Sequence, residues 1–445
     1  MQREAAARGT RGGGPGAGGS GAADAHRPEA RTAHAAVTPG GELTPAGERA
    51  ALLILALGRA AHENGAPAHR LEELMSLVAP RLGLAGQFLS TPTSLTAAFG
   101  EPPAQRTFLL RVEPASMNLG KLADLDDLIR DVAEGRAGVE EALERVERIR
   151  AAPPPYGAGL TLLCFAVASA GAARFFGGGW REMALAGAIG LATGGLAAVA
   201  ARVPAFGRLY EPIAALAAAL TAGAGAALLG QTSPYVASIG GLIVLVPGLG
   251  LTMALTELAT RNLVSGTARL AGVAVTFFGL AGGLALGAAI ATRAWGVPAN
   301  PPPVPLPGWT VWAALAVTPL ALTVLFRARA RDAGWILAAG VLAFAAARGG
   351  TAAFGSELGT FLAAATVAVA TNLYARTFDR PAAVPLIPAI LLLIPGSVGI
   401  RSISSLIERD VVEGVGLAFT LLLVAIALAA GILFANLAVS PRRGL

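Results

Sequence analysis

Apolar residues are grouped in two different ways along the chain, and the change comes near residue 155. From residue 43 to about residue 150, apolar positions alternate with polar ones at helical or strand spacing. After Tyr156 they form nearly unbroken runs, at about 157–175, 183–202, 211–230, 235–256, 268–292, 308–326, 333–348, 356–375, 384–400 and 412–437. Most runs approach the roughly 20 residues that a helix needs to cross a bilayer. The pattern predicts an α-helical polytopic membrane protein with about ten transmembrane helices.

The region before the apolar runs has the pattern of a small cytoplasmic α/β domain over residues 41–152. We expect residues 1–40, which are rich in Gly, Ala and Arg, to be a disordered tail without a secretory signal peptide. The periodicity of apolar residues and the positions of glycine and proline predict helices over about 50–61, 68–82, 121–134 and 138–150, with short strands within 87–99 and 107–112.

A proline-glycine pair recurs in the membrane part. Pro247-Gly248 interrupts the fourth apolar run and Pro395-Gly396 the ninth, 148 positions later, and the same shift brings the first five runs close to the last five. Because five is odd, the second copy must enter the membrane from the opposite side, which predicts a 5+5 inverted repeat. The predicted parts are repeat 1 over 153–292, a proline-rich loop over 293–307, repeat 2 over 308–437 and a tail over 438–445.

The distribution of charge predicts the orientation. Residues 1–155 hold 17 of the 34 basic and 19 of the 28 acidic side chains, so the positive excess lies among the apolar runs. Eleven arginines fall on the side of the N-terminal domain and six, including Arg174, in loops of the other side. This bias predicts both termini in the cytoplasm of a multi-pass protein of the cytoplasmic membrane. It also explains the positive charge without nucleic acid as a partner.

Both proline-glycine motifs, LVPGLGLT (245–252) and LIPGSVGIR (393–401), should break their helices. Paired breaks in inverted halves indicate a substrate site near the midplane, although either break could be a packing kink without a ligand. Glu257 and Arg401 carry the charges that a zwitterion needs, or are ordinary loop charges. The predicted substrate-binding residues are Pro247, Gly248, Thr252, Thr256, Pro395, Gly396, Ser397 and Arg401, with Glu257 for coupling.

Other features favour structural roles or exclude enzyme classes. Glycines spaced four apart, at 190 and 194 and at 279, 283 and 287, predict close helix packing. Cys164 is expected either to face lipid or to fill space in the core, and no metal site or cofactor is expected. The chain has no G-x-S-x-G elbow, no H-E-x-x-H pair and no P-loop, so it is not expected to be an enzyme. His69 and Glu73 would share a helix face, so a membrane-anchored hydrolase stays an alternative, as does a sensor whose soluble domain gates the membrane part.

Five segments together resemble the bacterial threonine/serine exporter family. They are NGAPAHRLEEL (64–74), STPTSLTAAF (90–99), NLGKLADLDDL (118–128), LVPGLGLTMALTELATRNLVSGTARL (245–270) and LIPGSVGIRS (393–402). The resemblance covers about residues 45–437 and implies a secondary exporter of small hydroxylated amino acids driven by the proton gradient. Glu257 stands where the family often has aspartate after the first motif. Oligomeric state and the choice among small amino acids stay open.

Overall fold

The N-terminal region combines helices with a three-stranded antiparallel sheet. The computed structural model describes residue 36 and residues 42–113, 116–296, 302–393 and 411–440. In chain order the region contains α1 (Pro45–Glu63), α2 (Ala68–Arg81), β1 (Gly86–Thr91), β2 (Ser94–Phe99), β3 (Arg106–Arg111), α3 (Leu119–Ala133) and α4 (Val139–Ala151). The predicted helices are therefore present, and the stretch predicted over 87–99 is a hairpin of two strands. The tail predicted over residues 1–40 lies outside the described residues, apart from residue 36.

Local sequence explains where these elements begin and end. Thr44 caps α1, because its Oγ1 accepts a hydrogen bond from the Gly47 amide at 3.1 Å. Asn118 caps α3 in the same way, through the Lys121 amide at 3.0 Å. Gly83 follows α2 with φ +74°, a conformation that favours glycine and ends the helix. In β2 every second residue is buried, which places one face of the central strand against the helices.

The apolar core of this region continues into the membrane helices. Its centre consists of large buried side chains from α1, α2, α3 and β2, including Leu53, Leu71 and Leu125. The same cluster includes Ile336 and Ile387, which belong to helices of the apolar part of the chain. The two parts therefore share a core rather than meeting only through surface side chains.

Beyond residue 157 the described chain is helical and apolar. The helices are α5 (Ala158–Phe175), α6 (Trp180–Ala200), the short α7 (Pro204–Gly207), α8 (Tyr210–Leu229), α9 (Pro234–Gly241), α10 (Gly248–Ala259), α11 (Leu263–Trp295), α12 (Trp309–Leu325), α13 (Ala333–Phe354), α14 (Ser356–Phe378), α15 (Ala383–Leu393) and α16 (Val411–Ala438). Among the described residues, seven helices are long and apolar enough to cross a membrane, and α10, α12 and α15 are shorter apolar helices. The chain is therefore a polytopic helical membrane protein.

The predicted break at Pro247 is confirmed. The fourth apolar run consists of two short helices, α9 and α10, separated by turns over residues 242–247. Pro247 precedes the first helical residue of α10, where the lack of an amide proton costs nothing. In the second half, α15 ends at Leu393 and the motif around Pro395 lies outside the described residues.

The first helices of the two halves, α5 and α12, run antiparallel and are tied at both ends. Before α5, the Tyr156 hydroxyl donates to the Ala328 carbonyl, which follows α12, at 2.7 Å. At the other ends, Arg174 Nε donates to Thr310 Oγ1 at 2.7 Å. Arg174, expected in a loop, is in fact buried in the last turn of α5. The Thr310 hydroxyl oxygen accepts a hydrogen bond from this guanidinium, which offsets part of the cost of burying it.

Equivalent ties occur near the start of the second helix of each half. Glu182, in the first turn of α6, is buried and accepts the Ser233 amide at 2.9 Å, just before α9. Asp332, directly before α13, is buried and accepts from Arg380 Nη1 at 2.8 Å, just before α15. In each case a buried acid therefore anchors the segment that precedes a short apolar helix, α9 or α15.

Glycines allow close contact between helices, as their spacing predicts. A β-carbon at Gly283 of α11 would overlap the Pro212 carbonyl oxygen of α8, whereas one at the adjacent Gly282 would meet nothing. At Gly190 of α6 it would lie 2.6 Å from the Phe165 carbonyl oxygen of α5. Contacts at this distance need glycine, so backbone approach stabilises these helix pairs. The proline-rich loop predicted over 293–307 begins later than expected because α11 continues to Trp295, and residues 297–301 lie outside the described ranges.

Candidate functional site

The helix break between α9 and α10 lies between two cavities of different chemistry. One, of about 150 Å³, is bordered by α2, α3, α10, α14, α15 and α16, and is called here the polar cavity. The other, of about 720 Å³, is bordered by α5, α6, α12 and the break itself, and is called the apolar cavity. Leu249, in the first turn of α10, lines both. The interrupted helix therefore contributes to the walls of two spaces rather than to a lipid-facing kink.

Two of the predicted substrate-binding residues, Thr252 and Thr256, line the polar cavity on successive turns of α10. Their hydroxyls donate to backbone carbonyls of the same helix, that of Thr252 to the Gly248 oxygen at 3.2 Å and that of Thr256 to the Thr252 oxygen at 2.9 Å. A hydroxyl that donates once keeps its lone pairs as acceptors. Pro247 lines the apolar cavity instead, and Gly248 is buried at the start of α10.

Charged and amide side chains from other elements complete the polar cavity. Asp126 comes from α3, Arg70 from α2 and Arg380 from the turn before α15. Asn372 of α14 and Asn436 of α16 face one another, with Asn372 Nδ2 donating to Asn436 Oδ1 at 2.9 Å. Sequence reasoning missed these residues. One signal was present: Asp126 lies on the buried face of α3, where an acid is unusual.

The charged residues of the cavity are held by ion pairs. Arg380 Nη1 lies 2.8 Å from Asp332 Oδ1, and Arg70 Nη1 lies 2.9 Å from Glu73 Oε2. Asp126 lies 3.6 Å from Arg130 Nη2, and its side chain is only 3% exposed. Each guanidinium has five donors and each carboxylate accepts about four hydrogen bonds, so one such pair does not exhaust either group.

His69 adds a neutral polar group to the wall of the polar cavity. Burial lowers its pKa to about 4, and the neighbouring Arg70 acts in the same direction. At neutral pH the imidazole is therefore uncharged. Its Nδ1 is buried and has no hydrogen-bond partner among the described residues. Glu73, four residues later, pairs with Arg70 instead of with this histidine.

Glu257, the residue predicted for coupling, is fully buried and joins three segments. Its carboxylate accepts hydrogen bonds from Arg269 Nε at 3.0 Å and Nη2 at 2.9 Å, and from Ser265 Oγ at 3.0 Å. It also accepts the Ala68 amide, the first of α2, at 3.0 Å. A carboxylate at a helix N-terminus complements the partial positive charge there. Glu257 therefore links the N-terminal region to α10 and α11, and its role in coupling stays a prediction.

Further contacts fix α3 over the membrane helices beside the polar cavity. The amides of Leu119 and Gly120 donate to the carbonyls of Phe326 and Arg327, at 2.9 and 3.2 Å. Arg130 Nη1 donates to Asp379 Oδ2, one residue before Arg380, at 2.6 Å. The elements that carry Asp126 and Arg380 are thus directly bonded to each other.

The remaining predicted site residues, Pro395, Gly396, Ser397 and Arg401, lie outside the described residues. The helix that leads into their motif, α15, borders the polar cavity through Ile390 and the apolar cavity through Leu391. Within the described ranges, no three His, Cys, Asp or Glu side chains are grouped as a metal site would require.

Family models match both parts of the membrane region. One, described as "Putative threonine/serine exporter", matches residues 52–291, and a second, described as "Threonine/Serine exporter, ThrE", matches residues 310–438. Similar curated proteins come from yeasts. An uncharacterized protein of Schizosaccharomyces pombe is 28% identical over 80% of this chain and 48% of its own length. Pheromone-regulated membrane protein 10 of Kluyveromyces lactis is 27% identical over 80% of this chain and 38% of its own length.

The protein of that name from Candida albicans is 30% identical over 51% of this chain and 21% of its own length. The chain thus spans less than half the length of these relatives. No solved structure matches. The first family model covers more than half of the chain, from within α1 to within α11, and includes the broken helix. The chain belongs to the threonine/serine exporter family.

Proposed function

We propose that this protein exports threonine, serine or a similar small amino acid across the cytoplasmic membrane by alternating access. The observation that carries the proposal is the broken helix α9–α10, whose second segment lines a polar cavity inside a membrane protein. Backbone and side-chain polar groups at membrane depth are tolerated where they line a solute path, which an anchor does not need. Family membership supports the same class of function.

The proposed architecture is the inverted repeat of five helices. It is supported by the antiparallel arrangement of α5 and α12 and by the equivalent anchoring of the segments before α9 and α15. Two oppositely oriented halves with interrupted helices provide two similar states, which is the basis of alternating access. The proposed orientation has the N-terminal region and the C-terminus in the cytoplasm, as the arginine distribution predicts.

The proposed energy source is the proton gradient, and Glu257 is the proposed coupling residue. Its burial supports this assignment, because ionisable residues inside membrane proteins are costly and usually functional. Protons and a small amino acid are thus the proposed partners, with the bilayer as solvent. Glu257 would couple by exchanging its bonds to Arg269 and Ala68 when it is protonated.

A transport assay with the full chain in lipid vesicles tests the proposal. Vesicles loaded with labelled threonine, serine or a larger amino acid are followed with and without a proton gradient. We expect threonine and serine to leave faster than from protein-free vesicles, and the gradient to increase the rate. Equal rates with and without protein for every amino acid tested would contradict export.

A second candidate function, a sensor in which the N-terminal region gates the membrane part, is favoured by the bond between Glu257 and the start of α2. A sensor would bind an amino acid without moving it. Binding measured in detergent together with an absence of flux in vesicles would therefore favour the sensor over the exporter.

A further inference from the structure

Charged groups of opposite sign reach the polar cavity from both the N-terminal region and the membrane helices. We infer that this cavity binds a zwitterion whose ammonium group is held by Asp126 and whose carboxylate is held by Arg70 and Arg380. The inference rests on the proposed function and makes it more specific. It assigns two of the three recognition residues, Asp126 and Arg70, to the N-terminal region, so this region forms part of the substrate site.

The size of the cavity suits a small amino acid. A volume of about 150 Å³ corresponds to about five water molecules, at about 30 Å³ for each in the liquid. Threonine, with eight non-hydrogen atoms, is close to this size, whereas an aromatic amino acid would not fit without expansion of the walls. The walls near the charged groups include short or rigid side chains such as Ala375, Pro381 and Ala382, which leave the space open.

The charges match the two ends of the ligand. Asp126 is buried at 3% exposure, so an added cation there interacts in a poorly screened environment. Arg70 and Arg380 side chains are 18% and 32% exposed, and a guanidinium forms two parallel hydrogen bonds with a carboxylate. Because His69 is neutral at pH 7, the cavity carries two positive groups and one negative group. A zwitterion places a carboxylate beside the two arginines and an ammonium group beside Asp126, in addition to the ion pairs that these residues already form, whereas a simple amine would face repulsion from both arginines.

Neutral groups in the same walls can recognise a hydroxyl. The hydroxyl oxygens of Thr252 and Thr256 retain acceptor capacity, and His69 Nδ1 is buried without a partner in the described part of the chain. A site that hydrogen-bonds a substrate hydroxyl discriminates strongly against the analogue that lacks it, because its own polar groups are then left unpaired. We therefore expect threonine to be preferred over 2-aminobutyrate.

Two bonds between the N-terminal region and the membrane helices flank this cavity. The Ala68 amide donates to Glu257. Ala68 directly precedes His69 and Arg70 in the chain. Arg130 is bonded to Asp379, one residue before Arg380. These two bonds therefore help to hold the charged walls in their relative positions.

A matched pair of substitutions on α3 tests the assignment. Asp126 and Asp127 both pair with Arg130, at 3.6 and 2.7 Å, but only Asp126 lines the cavity. Threonine binding is measured by calorimetry on the purified full-length protein. We expect Asp126→Asn to weaken binding about 10- to 100-fold, the usual range for a hydrogen bond to a charged group, and Asp127→Asn to change it less than about threefold.

Ligand analogues test the same assignment on the unaltered protein, so that a folding defect in a variant cannot obscure it. Removing the amino group of threonine gives 3-hydroxybutyrate, and removing its carboxylate gives 1-aminopropan-2-ol. We expect each to bind at least about tenfold more weakly than threonine, since each lacks one of the two charge-assisted contacts that threonine makes in the proposed site. Asp126→Asn should weaken threonine binding but leave 3-hydroxybutyrate binding unchanged.

Three results overturn the inference. The first is equal weakening by Asp126→Asn and Asp127→Asn, which indicates that only the pairing of Arg130 matters. The second is equal binding of threonine and 3-hydroxybutyrate, which indicates an anion site. The third is that Asp126→Asn binds threonine as tightly as the unaltered protein and still transports it. This result would contradict the inference but not the proposed export. If the unaltered protein does not transport threonine, the proposed function is contradicted as well. This outcome is therefore distinguishable from a failure of the inference alone.

Discussion

The two cavities beside the broken helix differ in size and in the charged side chains that line them. The polar cavity is small, is lined by Asp126, Arg70 and Arg380, and borders the N-terminal region. The apolar cavity is larger and is lined mainly by alanine, leucine and phenylalanine side chains of α5, α6 and α12. The lining of the polar cavity carries charged side chains of both signs, which are costly to bury without partners, whereas the lining of the apolar cavity includes one charged side chain, Arg327. Under the proposed function, recognition takes place on one side of the break and the cavity on the other side provides room for movement.

Removal of the Glu257 charge should have the largest effect, because this side chain holds the wall of the polar cavity in place. Glu257→Gln breaks a buried ion pair with Arg269, whose side chain is 24% exposed. Removal of one partner of a buried ion pair lowers the free energy of unfolding by about 3 kcal/mol, the lower end of the usual range for such pairs. Unfolding by denaturant in detergent should show this decrease.

Glu72→Gln is the matched control for this substitution, since the amide oxygen can still accept the hydrogen bond from the Ser90 amide. It should change stability by less than about 1 kcal/mol. A free energy of unfolding for Glu257→Gln within about 0.5 kcal/mol of the unaltered protein would show that Glu257 does not tie the two regions together.

Acidification should lower the free energy of unfolding through His69, whose pKa is lowered from 6.5 to about 4. Between these pH values the unfolded chain binds a proton that the folded protein does not bind. Stability is therefore lost as pH falls from 6.5 to 4, by up to about 3 kcal/mol at the acid end. Arg70 and Arg269 oppose protonation of His69, while Glu257 and Glu73 favour it.

The pH dependence is measured as the difference in stability between the unaltered protein and His69→Gln over this range. The histidine contribution should disappear in the variant. Parallel curves for the two proteins between pH 6.5 and 4 would mean that His69 titrates as it does in water.

Restoring helical propensity at the break should reduce transport without changing any residue that lines the polar cavity. Pro247→Ala supplies an amide donor and favours a continuous helix by up to about 3 kcal/mol. If the break is needed for movement, we expect threonine efflux to fall about tenfold. Pro234→Ala is the control, because Pro234 is the first residue of α9, where proline is well tolerated. Equal, full transport by both variants would remove the argument for the break.

Removal of a hydroxyl should matter in one cavity and not in the other. Thr252→Val deletes a hydroxyl that lines the polar cavity, and we expect about a fivefold loss of threonine affinity, near 1 kcal/mol. Thr318→Val deletes a buried hydroxyl of the apolar cavity that has no partner among the described residues. This change should leave affinity unaltered and stability equal or slightly higher. The same loss of affinity in both variants would remove the distinction between the cavities.

Features that depend on residues close together in the chain could be predicted from the sequence. The apolar runs predicted the membrane helices, Pro247 predicted the break, and glycines such as Gly283 predicted close helix contacts because spacing alone determines which face they share. The family was also recognised from its motifs, as the models matching residues 52–291 and 310–438 confirm.

Features that depend on contacts between distant elements were not readable. Arg380 reaches the polar cavity because Asp332, 48 residues earlier, and the bond between Arg130 and Asp379 fix its position. Arg174 was expected in a loop, but its pairing with Thr310 of another helix allows it to be buried. Such pairs follow from tertiary packing, for which a lone sequence carries no periodic signal.

Protection of a single cysteine by threonine tests most directly whether the substrate occupies the polar cavity beside the break. Cys164 is the only cysteine in the sequence, so Cys164→Ala gives a background for Thr252→Cys and, as a control in the apolar cavity, Thr318→Cys. The rate of maleimide modification is measured with and without saturating threonine. We expect threonine to slow modification of Thr252→Cys at least about fivefold, as near-complete occupancy requires, and to leave Thr318→Cys unaffected. This account would be contradicted if threonine did not change the rate of modification of Thr252→Cys while that variant still transported threonine.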